Sequence, residues 1–133
     1  MVTPEDKAAF EERTDKVIAC FDKIVPFDDG TPKSGKLMNT EATADMGGIK
    51  CMLLMAKKID GFDYDKFFRA YARMWQRLDT FQMFEWMATS DPHPLSCQRL
   101  NVTLQQFDEF LDTYEIKEGD GMYLAPEDRI LVW

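Results

Sequence analysis

Histidine and net positive charge are what this sequence lacks most. It contains one histidine in 133 residues, and 24 acidic residues outnumber 16 lysines and arginines, for a formal net charge of −8. Binding to nucleic acid needs a basic face that neutralises phosphates, so this charge argues against a nucleic-acid partner. A metal centre built on two histidines cannot come from this chain alone.

Paired cysteines and long apolar runs are also missing. Three cysteines, an odd number, include no Cys-x-x-Cys pair, which argues against a structural zinc site. Cys20 and Cys51 fall in apolar helical patterns and are interpreted as buried free thiols in a reducing compartment. The longest apolar stretch, residues 51–56, is too short for a membrane segment, and no signal peptide is visible. We therefore expect a cytoplasmic chain, unless a targeting segment precedes residue 1.

Apolar and aromatic residues, by contrast, are plentiful enough for a folded core. They make up 45% and 13% of the sequence, which excludes a disordered chain. The length fits a single unit over residues 1–133. Because most apolar residues recur every three or four positions, the sequence predicts a mainly α fold of about five helices with long loops.

The first two helices have the clearest signals. Residues 3–6, Thr-Pro-Glu-Asp, combine a hydroxyl cap, a proline and acids, and so predict a helix start. A second helix is predicted over about residues 40–58. It is apolar nearly all round from residue 49 to residue 56, which predicts a central, buried helix. Its inward stripe is formed by Met46, Ile49, Leu53 and Ala56.

Three shorter helices are predicted in the second half of the chain. Thr80 begins a short helix, and Thr103-x-x-Gln106 matches a capping box that would begin the last one. Two prolines predict a loop over residues 90–101, and residues 129–133 are a candidate strand. Asp63 caps the remaining helix, whose predicted inward residues are Phe67, Tyr71, Met74, Trp75 and Leu78.

Two acidic residues, Glu41 and Asp45, stand four positions apart in the segment Asn-Thr-Glu-Ala-Thr-Ala-Asp-Met-Gly-Gly at residues 39–48. On a helix this spacing places both carboxylates on one face, where they repel unless a cation or a donor lies between them. The plain interpretation is that acids in the first turn of a helix are favoured by its dipole. Gly47 and Gly48 are costly inside a helix, which predicts close approach of another element there.

A second motif, Ser-Asp-Pro-His at residues 90–93, is followed six residues later by Arg99. A single histidine in a proline-flanked loop is usually without function. Arg99 has an equally plain interpretation as the partner of one of the many acidic residues. Spacing alone therefore does not decide whether His93 and Arg99 have a function.

Together with Gly-Asp-Gly-Met at 119–122, Pro-Glu-Asp-Arg at 126–129 and the final Trp133, these motifs resemble the C-terminal end of the neprilysin and endothelin-converting-enzyme family of zinc endopeptidases. The resemblance implies the C-terminal helical part of a thermolysin-like, or zincin, catalytic domain. That family binds zinc with a His-Glu-x-x-His helix and a downstream glutamate. The His-Glu-x-x-His part is absent from this sequence.

The resemblance implies a role for four residues. Glu41 stands where the family has its third zinc ligand, and Asp45 where an aspartate orients a zinc-binding histidine. His93 stands where a histidine donates a hydrogen bond to the tetrahedral oxyanion, and Arg99 where an arginine holds a substrate carbonyl. Ala42 departs from the pattern, because the family commonly has asparagine after the glutamate.

The resemblance predicts part of a zinc enzyme that hydrolyses internal bonds of small peptide substrates. Because this chain has one of the ligands, we expect it to be zinc-free and inactive alone. The alternative is a stand-alone, truncated, non-catalytic relative that acts as a protein-interaction module. In either case the helix that carries Glu41 lacks a partner, so we expect self-association that buries the Met46–Leu53 stripe or its neighbours.

Overall fold

The computed structural model describes residues 2–24 and 34–130, and every regular element within these ranges is helical. The predicted mainly α fold class is thereby confirmed. The elements are α1 (Pro4–Asp22), α2 (Gly35–Ala56), α3 (Tyr64–Met74), α4 (Phe81–Ser90), α5 (Ser96–Leu104), α6 (Asp108–Thr113) and a 3₁₀ turn at Pro126–Asp128.

Helix α1 begins as the sequence predicts. The Thr3 hydroxyl accepts a hydrogen bond from the Asp6 backbone N–H, and the Asp6 carboxylate accepts one from the Thr3 N–H, which completes a capping box. The helix buries Val17 and Phe21 against α2 and ends at Asp22. Local signals were sufficient here because the capping groups lie within one turn of each other.

Helix α2 begins at Gly35 with Ser34 as its cap, five residues before the predicted start at Thr40. Glu41 and Asp45 therefore lie beyond the first turn. The interpretation that the helix dipole stabilises both carboxylates is wrong, because that stabilisation is confined to the first turn. Another partner must compensate their mutual repulsion.

The predicted inward stripe of α2 is buried, but the prediction that the helix is buried all round is wrong. Met52, Leu54 and Met55 are 45%, 50% and 59% exposed. Cys51 is also exposed, so its interpretation as a buried thiol is wrong as well. Cys20 is half-buried, and burial raises the pKa of its thiol because the thiolate loses hydration.

Two apolar clusters form the core, and α2 contributes to both. Its first half packs with α1, and its second half packs with the aromatic residues of α3 and α6. The first cluster is Val17, Phe21, Met38, Ala42, Met46, Val102 and Ile130. The second is Ile49, Leu53, Phe68, Leu104, Phe107, Phe110 and Leu111.

Helix α5 lies where the sequence predicted a loop, since it starts at Ser96, two residues after the second proline, with Leu95 as its N-cap. Proline is tolerated just before or at the first turn of a helix, so it marks this start instead of excluding it. The predicted capping box is also wrong. Thr103 lies in the last turn of α5, and the Gln106 side chain donates to the Val102 carbonyl and accepts from the Ile130 N–H, at 3.0 and 2.9 Å.

Asp63 caps α3 as predicted, but the fully buried aromatic residue is Phe68. Met74 and Leu78 are 62% and 98% exposed, so their predicted inward positions are wrong. The helix ends at Met74, and the helical period does not extend to Leu78. No strand includes residues 129 and 130, and the rest of the candidate strand, with Trp133, lies outside the described residues.

Within the ranges that the structure describes, no helix is long and apolar enough to cross a membrane. The longest apolar run of the sequence, residues 51–56, lies in α2, where Leu53 and Ala56 are part of the buried core. Four of the six residues of this run are exposed: Cys51, Met52, Leu54 and Met55.

Two glycines of α2 give opposite predictions for the stability of this chain. A Cβ atom on Gly35 would overlap the Ile18 backbone carbonyl oxygen and lie 3.0 Å from an Asp22 carboxylate oxygen. Because backbone atoms cannot move aside easily, we expect Gly35→Ala to cost about 1–3 kcal/mol or more in the free energy of unfolding. Denaturant unfolding of the purified chain measures it.

Gly48→Ala is the matched control for that substitution. No atom among the described residues lies within 4 Å of a Cβ placed on Gly48, apart from its chain neighbours and the backbone of its own helix, so residues 2–24 and 34–130 do not form the close approach predicted for this glycine. We expect the substitution to raise stability by roughly 0.5–1 kcal/mol, because alanine is the better helix former. Equal effects of the two substitutions would show that the contact between α1 and α2 is not close.

Candidate functional site

The two acidic residues on one face of α2 have different surroundings. The Asp45 side chain is 11% exposed and the Glu41 side chain is 36% exposed. One helical turn therefore separates a nearly buried carboxylate from one at the surface. A nearly buried carboxylate requires a charged or hydrogen-bonding partner.

Arg99, on the first turns of α5, is the partner of Asp45. Its Nε donates to one Asp45 oxygen at 2.7 Å, and its Nη2 donates to the other at 2.6 Å. The Arg99 side chain is 16% exposed, so both charges are largely removed from water. A side-on, bidentate pair of this kind is among the strongest ionic contacts in proteins and joins α2 to α5.

The end of α3 completes the surroundings of Arg99. The guanidinium carbon lies 3.8 Å from the centre of the Trp75 ring, and the Tyr71 hydroxyl donates to the Arg99 backbone carbonyl at 3.2 Å. The Trp75 and Tyr71 rings meet edge to face, with centres 6.1 Å apart. Burial raises the pKa of the Tyr71 phenol, and the nearby Asp45 carboxylate raises it further, because both disfavour a phenolate.

His93 is oriented by the aspartate two residues before it. One oxygen of Asp91 accepts the His93 backbone N–H and contacts the ring Nδ1, both at 2.8 Å. Since a carboxylate only accepts hydrogen bonds, Nδ1 carries the proton in this contact. The ring is thereby fixed with its other nitrogen, Nε2, directed away from Asp91.

His93, in the loop that follows α4, directs Nε2 toward Glu41 on α2. The distance from Nε2 to the Glu41 Oε2 is 3.6 Å. The structure thus brings the four predicted site residues together as two pairs, Glu41 with His93 and Asp45 with Arg99. Both pairs connect α2 to the segment that follows α4.

His93 and Arg99 also line a common open groove of about 560 Å³. Trp75, Asp91 and Ser96 contribute to its walls. The groove therefore offers an imidazole and a guanidinium beside an aromatic surface. Such a combination suits a ligand with carbonyl or carboxylate oxygens, which accept hydrogen bonds from both groups.

A zinc ion needs more than these residues supply. Among the residues that the structure describes, no three His, Cys, Asp or Glu side chains stand close enough to hold a metal ion. Catalytic zinc takes three protein ligands, and here Glu41 offers one carboxylate at the surface. The described residues do not fit a complete zinc site, although Glu41 is placed to add one ligand to a site completed by other residues.

Two contributors to this site were missed in the sequence. Trp75 was interpreted as core packing, and no local signal distinguishes a tryptophan that packs on an arginine from one that packs on leucines. Asp91 was part of a quoted motif but received no role. Its signal was present, because an aspartate two residues before a backbone N–H commonly accepts from it in an Asx turn.

Comparison with known proteins identifies relatives over almost the whole chain. The family model described as peptidase family M13 matches residues 1–130. A neutral endopeptidase of Lactococcus lactis subsp. cremoris is 36% identical over 129 residues, which cover 97% of this chain and 20% of that protein. Neprilysin-1 of Caenorhabditis elegans is 27% identical over 139 residues, which cover 93% of this chain and 18% of that protein.

A solved structure agrees with these matches at the level of the fold. The crystal structure of a zinc metalloprotease of Mycobacterium tuberculosis superposes with a TM-score of 0.87 at 22% identity, covering 97% of this chain and 22% of that one. The chain spans about a fifth of the length of the curated relatives that it matches. The resemblance to the neprilysin family is confirmed, and the helical fold is that of one part of these longer proteins.

Proposed function

Because this chain belongs to peptidase family M13, we propose that it forms the C-terminal helical part of a zinc endopeptidase that cleaves internal bonds of small peptides. Glu41 supplies the third zinc ligand, His93 donates to the oxyanion, and Arg99 holds a substrate carbonyl. The observation that carries the proposal is the 3.6 Å approach of His93 Nε2 to Glu41 Oε2, with Arg99 lining the same groove as His93.

In this proposal, Glu41 and residues from elsewhere would hold the zinc, which would supply Lewis-acid polarisation of the scissile carbonyl. The residues of this chain act on the charge that then develops on the carbonyl oxygen. Because the Nδ1–H of His93 is donated to Asp91, Nε2 can donate to an oxyanion only when the ring carries both protons. The Asp91 contact at Nδ1 fixes the direction of the bond that Nε2 makes.

The proposed role of Asp45 is compatible with its ion pair. Each of its two oxygens accepts one hydrogen bond from Arg99. A carboxylate oxygen has two acceptor positions, so Asp45 retains capacity for the ring N–H of a zinc-binding histidine. One aspartate would then orient both a metal ligand and the substrate-binding arginine.

The proposal is tested by the mass and zinc content of the polypeptide that carries this sequence in its source cells, captured with an antibody to the chain. We expect a polypeptide several times longer than this chain with about one zinc ion bound. Glu41→Gln in that polypeptide should lower its zinc content, whereas Glu118→Gln, at an exposed position, should not. A zinc-free product of this chain's own size would contradict the proposal.

The 133-residue chain alone is expected to have no zinc-dependent peptidase activity. One carboxylate with a single imidazole nearby does not meet the three-ligand requirement of catalytic zinc. Cleavage of a fluorogenic peptide should equal the background rate, and added zinc should change nothing. Turnover that a chelator abolishes would show that this expectation is wrong.

The alternative function, a stand-alone non-catalytic interaction module, is favoured by the exposed apolar side chains. Met52 and Met55 on α2 are exposed, and Met74, Leu78 and Trp86 are each more than half exposed. Apolar groups of this size at a surface commonly mark a contact with another protein. The mass measurement separates the two functions, because only the module exists at this chain's own size.

Self-association of the isolated chain is proposed under either function. The Met46–Leu53 stripe itself is buried inside the chain, so the surface concerned is its exposed neighbours, Met52 and Met55. We expect the weight-average mass in analytical ultracentrifugation to rise with protein concentration. The double variant Met52→Glu, Met55→Glu should stay monomeric, because a charge cannot be buried unpaired.

A matched control adds the same charge elsewhere. The double variant Ala9→Glu, Ala19→Glu changes two exposed positions of α1 and should associate as the original chain does. A chain that sediments as a monomer at every concentration would contradict the self-association. Loss of association in both double variants would assign it to net charge and not to the two methionines.

A further inference from the structure

The guanidinium of Arg99 is held in two independent ways. Asp45 accepts hydrogen bonds along the edge formed by Nε and Nη2, and the Trp75 ring lies against the flat face, 3.8 Å from the guanidinium carbon. Hydrogen bonds in the guanidinium plane fix the position of that edge within the plane. They leave tilting out of the plane comparatively free, and a ring stacked on the face restricts this tilting.

Trp75 is itself well placed to act as a support. It is the C-cap of α3, and its ring meets the Tyr71 ring edge to face at 6.1 Å. Tyr71 in turn donates to the Arg99 backbone carbonyl at 3.2 Å. The end of α3 therefore holds Arg99 at both its backbone and its head group.

The part of the guanidinium that Asp45 does not use has a defined direction. A planar guanidinium carries five N–H groups, and the side-on pair uses two of them. Of the three remaining N–H groups, two belong to Nη1 and one to Nη2. Arg99 and Trp75 line the groove that His93 also lines, so the Nη1 side is the one available to an acceptor in the groove.

We propose that Trp75 is a positioning residue for Arg99, whose ring sets the tilt of the guanidinium so that its Nη1 side serves a ligand carbonyl in the His93–Arg99 groove. The positioning stands on the stacking geometry of this chain. The identity of the ligand as a peptide carbonyl rests on the proposed function. The two parts therefore need separate measurements.

The positioning is tested by ¹⁵N NMR of the 133-residue chain, at the Arg99 Nε–H, which Arg99→Lys identifies by removing its signal. Trp75→Leu should speed hydrogen exchange and Nε–Cζ rotation of Arg99 roughly tenfold, the effect of losing a largely desolvated cation–π contact. Trp75→Phe keeps an aromatic face and should restore most of the original rates. Circular dichroism checks that both variants retain their helices.

Two outcomes would overturn the positioning role. Unchanged Arg99 rates in Trp75→Leu would mean that Asp45 alone holds the guanidinium. Equal rates in Trp75→Phe and Trp75→Leu would mean that the aromatic face is irrelevant and that the tryptophan only fills space. A tenfold increase that phenylalanine reverses supports the proposal, since a purely space-filling role would not distinguish the two variants.

The ligand is tested by titration with N-acetyl-leucinamide, a neutral probe with two peptide carbonyls, observed at the Arg99 Nη resonances. We expect saturable shifts in the original chain and a Kd at least roughly fivefold higher in Trp75→Leu, in proportion to the lost stacking. Absence of binding to the original chain would count against Arg99 as a carbonyl-binding residue and so against the proposed function. The exchange measurement would still decide the positioning by itself.

Discussion

His93→Gln in the zinc-bearing polypeptide that carries this sequence is expected to lower kcat by about 10²–10³-fold, the usual cost of removing one donor to an oxyanion. The charge on the oxygen exists only in the transition state, so kcat and kcat/KM should fall together while KM changes little. Initial rates with a fluorogenic peptide measure both constants. Zinc content should be unaffected, because His93 is not among the proposed ligands.

The control for this prediction is a substitution that leaves the imidazole in place. Glu118→Gln, at an exposed position outside the groove, should keep the original rates. Asp91→Asn tests the orientation of the ring and should lower kcat less than loss of the ring itself. Full activity of His93→Gln with zinc bound would remove His93 from the proposed machinery, and a rise in KM alone would make it a residue that binds substrate without stabilising the oxyanion.

Asp45→Ala is expected to cost about 3–5 kcal/mol in the free energy of unfolding of the chain, the range for leaving one charge of a buried ion pair uncompensated. Arg99 is 16% exposed and would retain its charge against the Trp75 ring without the two hydrogen bonds that it now makes. Arg99→Met should cost a similar amount by leaving Asp45 uncompensated. Urea unfolding followed by circular dichroism measures each value.

The double variant shows whether these costs belong to one interaction. With both charges absent, the loss should be smaller than the sum of the single losses, because no buried charge remains without a partner. Glu11→Gln is the surface control, since the Lys7–Glu11 pair on α1 is mostly exposed and should contribute less than about 1 kcal/mol. Strict additivity in the double variant would mean that Asp45 and Arg99 do not depend on each other.

Helix starts that rest on neighbouring residues were predictable from the sequence. Thr3 with Asp6, and Asp63, form caps whose partners lie three residues away, and the structure has those caps. The start of α2 at Gly35 was missed although Ser34 caps it locally by accepting the Leu37 N–H at 3.4 Å. The sequence could not show its second contact, in which the Asp22 carboxylate at the end of α1 accepts the Gly35 N–H at 2.6 Å. Helix α5 was missed because proline both interrupts a helix interior and is favoured near a helix start, and the sequence does not show which applies here.

The candidate site divides in the same way. Glu41, Asp45, His93 and Arg99 could be named from motifs, and the relationship to a peptidase family followed from them. Their pairing could not be named, because Asp45 and Arg99 are 54 positions apart and many other acids compete for one arginine on sequence grounds alone. Burial decides between those acids, since the Asp45 carboxylate is almost removed from water and therefore requires a partner.

By itself, the sequence determined the helical class, the family and the types of residue available for chemistry, because helical periodicity and short motifs are properties of neighbours along the chain. Only the tertiary structure decided that Trp75 supports Arg99, that Asp91 orients His93 toward Glu41, and that Met52 and Met55 remain exposed. Each of these depends on which surfaces meet when helices pack. On sequence grounds an apolar or charged residue could contact many others, and the packing of the helices selects which contacts are made.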